Sequence, residues 1–364
     1  MQFAQLPYDI IACISSFLNV KEKIRLPLLD KHIANALRIP HAWDGTLNIS
    51  SFYEYNIYKI LHNMPNRVFA NKLILAHVFR SRPTSIFVEL LDKFRVLQHI
   101  DLSHCYGITD DDLKHISHIP ICYLNLTHCE CITERGIAHI ANVPLQHLIL
   151  SKCNRITDAA FTYIANMPLQ LLDLSCCTWV NDRGLQGLDC LQLRYLYLNN
   201  CQYITDAGLA HIANMPLQFL CLHDCEWITD ASLRHFSNMP LQHLNLSFSC
   251  TTDDGLRHIA DIKLRELHLT SCYSITDAGM AHLAAMKLQS LSLHCCHKLT
   301  GIGLVHLANM PLQILDMSFC PNLISDNLTH IDALPLKHLY LIGCKLITSA
   351  SLNRFPNLKR VVTI

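Results

Sequence analysis

The sequence predicts an α/β solenoid shaped like a horseshoe, with a parallel sheet on the concave face, helices on the convex face and a small all-α module in front. The first observation is a motif that recurs every 24 residues from Leu97 onwards. The second is the content of each copy, an alternating Leu-x-Leu strand pattern followed by an apolar stripe at helical spacing. The third is that the first forty-odd residues lack this motif and carry apolar residues at helical spacing.

The composition excludes several classes of protein. Hydrophobic residues make up 51% and charged residues 16% of the 364 residues, which is unlike a disordered chain. Lys and Arg number 29 and so do Asp and Glu, so the basic excess of a duplex nucleic-acid binder is missing. No apolar run reaches the roughly 18 residues of a membrane helix. The 18 cysteines form no Cys-x-x-Cys pair, and no export signal is recognisable, so we expect a reducing compartment, the cytoplasm or nucleus.

The repeat is most visible in its cysteines. Ten of them, here called the ladder cysteines, follow one another at 24-residue steps in two sets, and Ser249 holds the position between the sets. The turn after Ser249 is one residue short, so the next step is 23 residues. The ladder cysteines are Cys105, Cys129, Cys153, Cys177, Cys201, Cys225, Cys272, Cys296, Cys320 and Cys344. Eleven units in register follow from this spacing.

Each unit reads Leu-x-x-Leu-x-Leu-x-x-Cys-x-x-Ile-Thr-Asp, followed by a helical stripe and, in several copies, by Met-Pro. Thr can cap the helix, Asp in the first turn suits the helix dipole, and Pro ends the helix. These residues resemble the cysteine-containing leucine-rich repeat. Strands stack about 4.8 Å apart and helices about 8–10 Å apart, so such a stack must curve with the strands inside. The predicted segments are a helical module at 1–46, two degenerate repeats at 47–96 and eleven repeats with a closing strand at 97–364.

Neither the cysteines nor the histidines predict a reaction. A thiol that recurs at one register is more typical of a buried structural group than of a nucleophile or metal ligand. His99, His104, His128 and His147 fall on adjacent strands, but no Cys or carboxylate stands at ligand spacing beside them. No phosphate loop, GxSxG or HExxH motif is present. We therefore predict no metal, no cofactor and no enzymatic activity.

The N-terminal module resembles the F-box over residues 4–47. It has a Leu-Pro helix start, a Phe-Leu pair and a later Lys and Trp. The module is followed directly by leucine-rich repeats, and this arrangement is similar to that of F-box/leucine-rich-repeat proteins. The resemblance implies that an apolar face docks on a Skp-type adaptor of a cullin–RING ubiquitin ligase. Pro27 in a helix interior and Ile33 in place of Trp depart from the family pattern. The matching positions are Leu6, Pro7, Ile10, Ile14, Leu18, Ile24, Leu26, Leu29 and Lys31.

Two functions remain open after an enzyme has been rejected. The resemblance implies a non-catalytic substrate receptor of a Skp–cullin–F-box ubiquitin ligase, with the adaptor at one end and a target protein in the concavity. The alternative is a protein-interaction scaffold unrelated to ubiquitin, in which residues 4–47 are only a helical cap on the solenoid. Binding of a Skp-type adaptor separates the two.

The target is predicted to bind at repeats four to seven. Strand residues beside the two Leu of each Leu-x-Leu face the concavity because strand residues alternate, and three aromatic residues occupy one turn position in consecutive repeats. More carboxylates than amines are expected to face inward, which favours a basic segment in the target. An aromatic stack that only staples neighbouring turns is the alternative. The predicted target-binding residues are Trp179, Tyr195, Tyr197, Tyr203, Phe219, His223, Asp224, Trp227, His243 and Phe248.

Overall fold

The structure, a computed structural model, describes residues 45–50, 64, 68–81, 84–355 and 360–362. The nine predicted adaptor-binding positions lie outside these residues. Contacts divide the chain into two compact units, unit 1 to Asp173 and unit 2 from Leu174 onwards. None of the helices within the described ranges has the length and apolar character needed to cross a membrane.

Unit 1 contains a parallel sheet whose strands pair in chain order. Its strands are β1 (Gly45–Asn48), β2 (Ala70–Ile74), β3 (His99–Asp101), β4 (Tyr123–Asn125), β5 (His147–Ile149) and β6 (Leu171–Asp173). Its helices are α1 (Thr84–Asp92), α2 (Asp110–Lys114), α3 (Glu134–His139) and α4 (Phe161–Ile164), the last preceded by a 3-10 turn at Asp158–Ala160. From β2 to β6, each described repeat has one strand and one helical segment, as predicted.

Unit 2 has the same order, and its parallel strands again pair along the chain. Its strands are β7 (Tyr195–Tyr197), β8 (Phe219–Cys221), β9 (His243–Asn245), β10 (Glu266–His268), β11 (Ser290–Ser292), β12 (Ile314–Asp316), β13 (His338–Tyr340) and β14 (Arg360–Val362). Its α-helices are α5 (Asp182–Gln186), α6 (Asp206–Ile212), α7 (Asp230–Leu233), α8 (Asp253–Ile259), α9 (Gly279–Leu283) and α10 (Ser349–Leu352). Its 3-10 helices are Arg234–Phe236, Ile302–Leu307 and Ser325–Ile331.

The core lies between each sheet and its helices. The central Leu or Ile of each strand from β3 to β13 is buried, as at Leu148 in β5 and Leu220 in β8, while the residues on either side are mostly half-buried. On the helices, Ile164 and Ile212 supply the apolar stripe and are fully buried. Burial of such side chains contributes about 1.5–3 kcal/mol each. The alternation of the strand therefore sends one set of side chains into the core and leaves the other on an open strand face.

The ladder cysteines join neighbouring repeats. Nine of the Sγ–H groups are seen to donate to a Leu or Met carbonyl of the preceding repeat, for example Cys153 to Leu126 at 2.9 Å and Cys225 to Leu198 at 3.1 Å. Burial raises the pKa of the Cys153 and Cys225 thiols to about 12. All ten are buried, which confirms their predicted environment, and the low reactivity that follows stays a prediction.

A second interaction between repeats involves the Thr-Asp pair. The Asp that begins α5, Asp182, accepts hydrogen bonds from the amide and hydroxyl of Thr205 in the next repeat, at 2.8 and 2.7 Å. The same pairing recurs from Asp110, Asp206, Asp230, Asp253 and Asp277 to Thr133, Thr229, Thr252, Thr276 and Thr300. A Cβ on Gly208 would overlap the Asp182 carboxylate as it is placed, so a side chain there would have to displace the carboxylate. These six Asp residues therefore each join two repeats in addition to lying near a helix start.

Candidate functional site

A turn directly after each strand places one side chain in the left-handed backbone region. Eleven non-glycine residues have φ between 54° and 64° at this position, which we call the turn column. In unit 1 it comprises His77, His104, His128 and Lys152; in unit 2 it comprises Cys176, Asn200, Asp224, Phe248, Ser271, Cys295 and Phe319, and Gly343 ends it. The conformation is costly for residues other than glycine, and hydrogen bonds to the next repeat hold it, such as Asp224 N–H to the Ser247 carbonyl at 2.9 Å.

An aromatic surface lies on strands β7 to β9 of unit 2. Phe219 is at its centre, with its ring centroid 4.7 Å from that of Tyr197, 6.4 Å from that of Tyr195 and 5.7 Å from that of His243. Tyr195 is 38% exposed and the other three side chains are half-buried. Four of the predicted target-binding residues are therefore in one continuous group of rings.

The turn at the end of β8 and β9 brings three more predicted residues beside this surface. The rings of His223 and Phe248 meet edge to face at a centroid distance of 5.0 Å. Phe248 is 42% exposed, and Asp224 is half-buried at the neighbouring position of the turn column. These three side chains extend the ring surface toward the carboxyl ends of the strands, where a carboxylate is also present.

The sequence predicts that Trp179, Tyr203 and Trp227 form a row that a target can contact, and the exposed fraction of Trp179 contradicts this for one of the three. Tyr203 and Trp227 are 62% and 63% exposed, but Trp179 is only 8% exposed. An equivalent register position therefore carries a buried ring in one repeat and open rings in the next two. Trp179 belongs to the core of unit 2, whereas Tyr203 and Trp227 remain available to a partner.

Histidine–carboxylate pairs continue the strand face beyond the aromatic surface. Nδ1 of His243 lies 3.1 Å from Glu266 on the next strand, and Nδ1 of His294 lies 3.7 Å from Asp316. Between them, burial lowers the pKa of His268. The sequence interpretation missed these pairs, although the 23-residue step from His243 to Glu266 indicates that the two face each other. Strands β7 to β13 contain no Lys or Arg, so this face is acidic when its histidines are neutral.

The strand face of unit 1 has different chemistry. The rings of His99, Tyr123 and His147 form a row with centroid distances of 5.5 and 6.0 Å. Burial, together with the charges of Lys72 and His147, lowers the pKa of His99. Within the part of the chain that the structure describes, no group of three or more His, Cys, Asp and Glu side chains could hold a metal ion.

Two cavities lie in unit 2 around the loop that leads into β10. Their volumes are 490 and 550 Å³, and both are lined by Lys263 and Arg265. Lys263, and Lys287 in the next repeat, occupy the position that holds Pro in other copies of the Met-Pro motif. These grooves do not include any predicted target-binding residue.

Comparison with known proteins defines the class of scaffold. The family model described as "Leucine Rich repeat" matches residues 165–188, 190–213, 237–260 and 261–284. The comparison with curated proteins gave no significant match. Among solved structures, the chain is similar to the yeast Rad7 and Elc1 complex, with a TM-score of 0.64, 18% identity, and coverage of 98% of this chain and 92% of that chain. The chain therefore contains segments that match the leucine-rich repeat, and its fold is similar to the one in that complex.

Proposed function

We propose that the protein is a non-catalytic substrate-recognition subunit of a Skp–cullin–F-box ubiquitin ligase in the cytoplasm or nucleus. Residues 4–47 bind the Skp-type adaptor through Leu6, Pro7, Ile10, Ile14 and Leu18, and the strand face of unit 2 holds the target protein. The observation that carries the proposal is the order of an F-box-like pattern followed directly by leucine-rich repeats. The fold of the solved Rad7 structure, which was determined in complex with Elc1, supports a scaffold that works with a partner protein.

Adaptor binding is the deciding experiment. Purified full-length protein and a Leu6→Ala/Pro7→Ala variant are compared in pull-downs with a purified Skp-type adaptor, and Elc1 serves in a second arm. We expect the wild type to retain adaptor and the double variant to lose most of it, because the substitutions remove apolar area from the docking face. Ile302→Ala is the matched control, since Ile302 is 63% exposed and far along the chain. Equal recovery of wild type and double variant, or of neither, favours the scaffold unrelated to ubiquitin.

The aromatic surface supports a target with a basic segment. The rings of Tyr197 and Phe219 offer faces to which Arg and Lys are attracted, and Asp224 supplies a negative charge at its edge. Because β7 to β13 contain no Lys or Arg, no ammonium or guanidinium group of these strands competes with a cationic ligand. The attraction is worth about 0.5–2 kcal/mol per ring contact, so several contacts are needed for a stable complex.

A peptide array tests the charge of the target. Immobilised peptides containing Arg and Lys are compared with the same peptides in which those residues are Glu, and each set is probed with full-length wild type and with Phe219→Ala. We expect binding to the basic set, and its loss in Phe219→Ala, because this ring contacts the other three. Equal binding to both sets contradicts the basic segment and leaves the adaptor proposal standing.

A further inference from the structure

We propose that the turn column of unit 1, which consists of His77, His104, His128 and Lys152, binds a phosphorylated segment of a protein. This surface lies in a different unit from the aromatic surface. The inference concerns binding by the chain itself and does not depend on the adaptor.

Four successive repeats place a basic side chain at one backbone position. The turn column holds His, His, His and Lys in unit 1, whereas none of its residues in unit 2 is His, Lys or Arg. The left-handed conformation favours His somewhat, but Cys, Ser and Phe occupy it in unit 2, so the backbone does not require a basic residue. The concentration of basic groups in one unit is therefore a property of the surface and not of the turn.

The three imidazoles form a stack. The ring centroids of His77 and His104 are 4.4 Å apart with an interplanar angle of 12°, and those of His104 and His128 are 5.3 Å apart with an angle of 20°. Tyr106 lies edge to face against both His104 and His128. His77 and Lys152 are exposed, and the two central histidines are half-buried. Imidazole rings and an exposed amine thus follow one another at the spacing of the repeats, and Nδ1 of His128 is buried on the side of Glu130.

The charges around the stack favour an anion. Burial and then the neighbouring His77, His128 and Lys152 hold the pKa of His104 below its ordinary value, and Asp101 acts in the opposite direction. The Asp101 carboxylate already accepts the Ser103 amide at 2.9 Å, and Glu130 lies 3.3 Å from Nδ1 of His128. A bound anion would act on the His104 pKa in the same direction as Asp101, so anion binding and protonation of His104 favour each other.

A phosphate group suits this arrangement better than a carboxylate. It carries nearly two negative charges and three acceptor oxygens, so one group can accept from two adjacent rings and still face a third donor. The centroid distances of 4.4 and 5.3 Å place neighbouring imidazoles close enough to share one such anion. A side-chain carboxylate has one charge and two oxygens and can serve fewer of the donors. We therefore assign a phosphorylated segment, and not an acidic one, to this surface.

The test uses the full chain and defined probes. A fluorescent peptide with two phosphoserines separated by one glycine is compared with its unphosphorylated form and with a form carrying Glu at both positions, by fluorescence anisotropy at pH 6.5 and 8.0. We expect the phosphorylated peptide to bind at least about tenfold more tightly than either control, as charge-assisted hydrogen bonds imply. Binding should be stronger at pH 6.5 than at pH 8.0, because a bound anion favours protonation of His104.

Variants locate the site. His104→Asn/His128→Asn should weaken binding by about tenfold or more, and Asn tolerates the left-handed turn, so the fold should be retained. Lys152→Ala provides a second variant at an exposed position, and His306→Asn, exposed in a 3-10 helix of unit 2, is the matched control. Equal affinity of the wild type for all three peptides overturns the proposal. Equal binding of the Glu peptide overturns phosphate recognition, and unchanged affinity in both variants overturns the location.

Discussion

The turn columns of units 1 and 2 have the same backbone conformation and different chemistry. In unit 1 the turn column is basic, and in unit 2 the equivalent positions include Asp224 and Phe248 beside the aromatic surface. The interior does not differ in this way: Cys129 and Cys225 each donate to a Leu carbonyl of the preceding repeat at 3.1 Å. The comparison shows that contacts between repeats fix the scaffold and leave the strand face to specify partners.

The largest expected effect tests whether the interior of the two units is equivalent. Leu148→Ala in unit 1 and Leu220→Ala in unit 2 each remove a fully buried side chain from the centre of a strand. Each should lower the free energy of unfolding by about 2–5 kcal/mol, since both leave a cavity. Urea unfolding followed by circular dichroism measures the two losses. If the loss in one unit lies within this range and the loss in the other lies outside it, the interiors of the two units are not equivalent.

The next effect concerns the carboxylates that join repeats. Asp110→Ala in unit 1 and Asp182→Ala in unit 2 each remove an acceptor of two hydrogen bonds and should cost about 1–3 kcal/mol of unfolding free energy. Glu134→Ala is the matched control, because Glu134 makes a single, longer contact of 3.2 Å with the Thr157 hydroxyl. We expect its cost to be well below that of either Asp variant. Equal losses in all three would assign the effect to the helix dipole.

Deprotonation of the ladder thiols should destabilise both units at alkaline pH. Burial raises the pKa of Cys105 from 9.0 to about 11 and that of Cys225 to about 12. The unfolded chain therefore loses these protons first, so stability is full below pH 9 and falls as the pH rises toward the folded values. Between the unfolded and the folded pKa, each thiol should lower the free energy of unfolding by about 1.4 kcal/mol per pH unit.

The contribution of single thiols is measured with Cys105→Ala and Cys225→Ala, unfolded in urea between about pH 8 and 11, a range that brackets the ordinary thiol pKa. Above the ordinary thiol pKa, the free energy of unfolding of each variant should fall less steeply with pH than that of the wild type. This difference in slope is expected even if the substitution also changes the stability at pH 8. Cys250→Ala is the control because Cys250 is exposed. An unchanged slope in both ladder variants would contradict a raised thiol pKa.

The scaffold was predictable from the sequence because its signals are periodic and local. The 24-residue step sets which strands pair, and the alternation of Leu sets which side chains are buried. The register of the ladder cysteines, which begins at Cys105, follows from the same step. Even where Ser249 replaces the thiol, the side chain is buried at the expected position. No information about distant contacts was needed beyond the repeat itself.

The candidate site was less predictable because it depends on neighbours in adjacent repeats. The sequence interpretation assigned the Asp of each Thr-Asp pair to the helix dipole, but the carboxylate of Asp206 also accepts two hydrogen bonds from Thr229 in the next repeat. Spacing placed Trp179 and Trp227 at one turn position, yet only Trp227 is open to solvent. A register position fixes where a side chain starts, whereas its burial depends on the side chains that pack over it.

The smallest expected effect on stability concerns the exposed turn aromatics, Tyr203 and Trp227. It distinguishes rings that anchor a target from rings that only staple neighbouring turns. Tyr203→Ala and Trp227→Ala remove rings that are 62% and 63% exposed, so each should change the free energy of unfolding by no more than about 0.5 kcal/mol. Trp179→Ala, at the equivalent position but 8% exposed, should cost about 3–5 kcal/mol and serves as the contrast. Urea unfolding gives these values, and the basic peptide array gives binding for the same variants. If the open rings anchor a target, Tyr203→Ala and Trp227→Ala lose peptide binding while stability is kept. A loss of stability with binding intact would mean that the rings only staple neighbouring turns, and target recognition by unit 2 would then rest on the rings around Phe219.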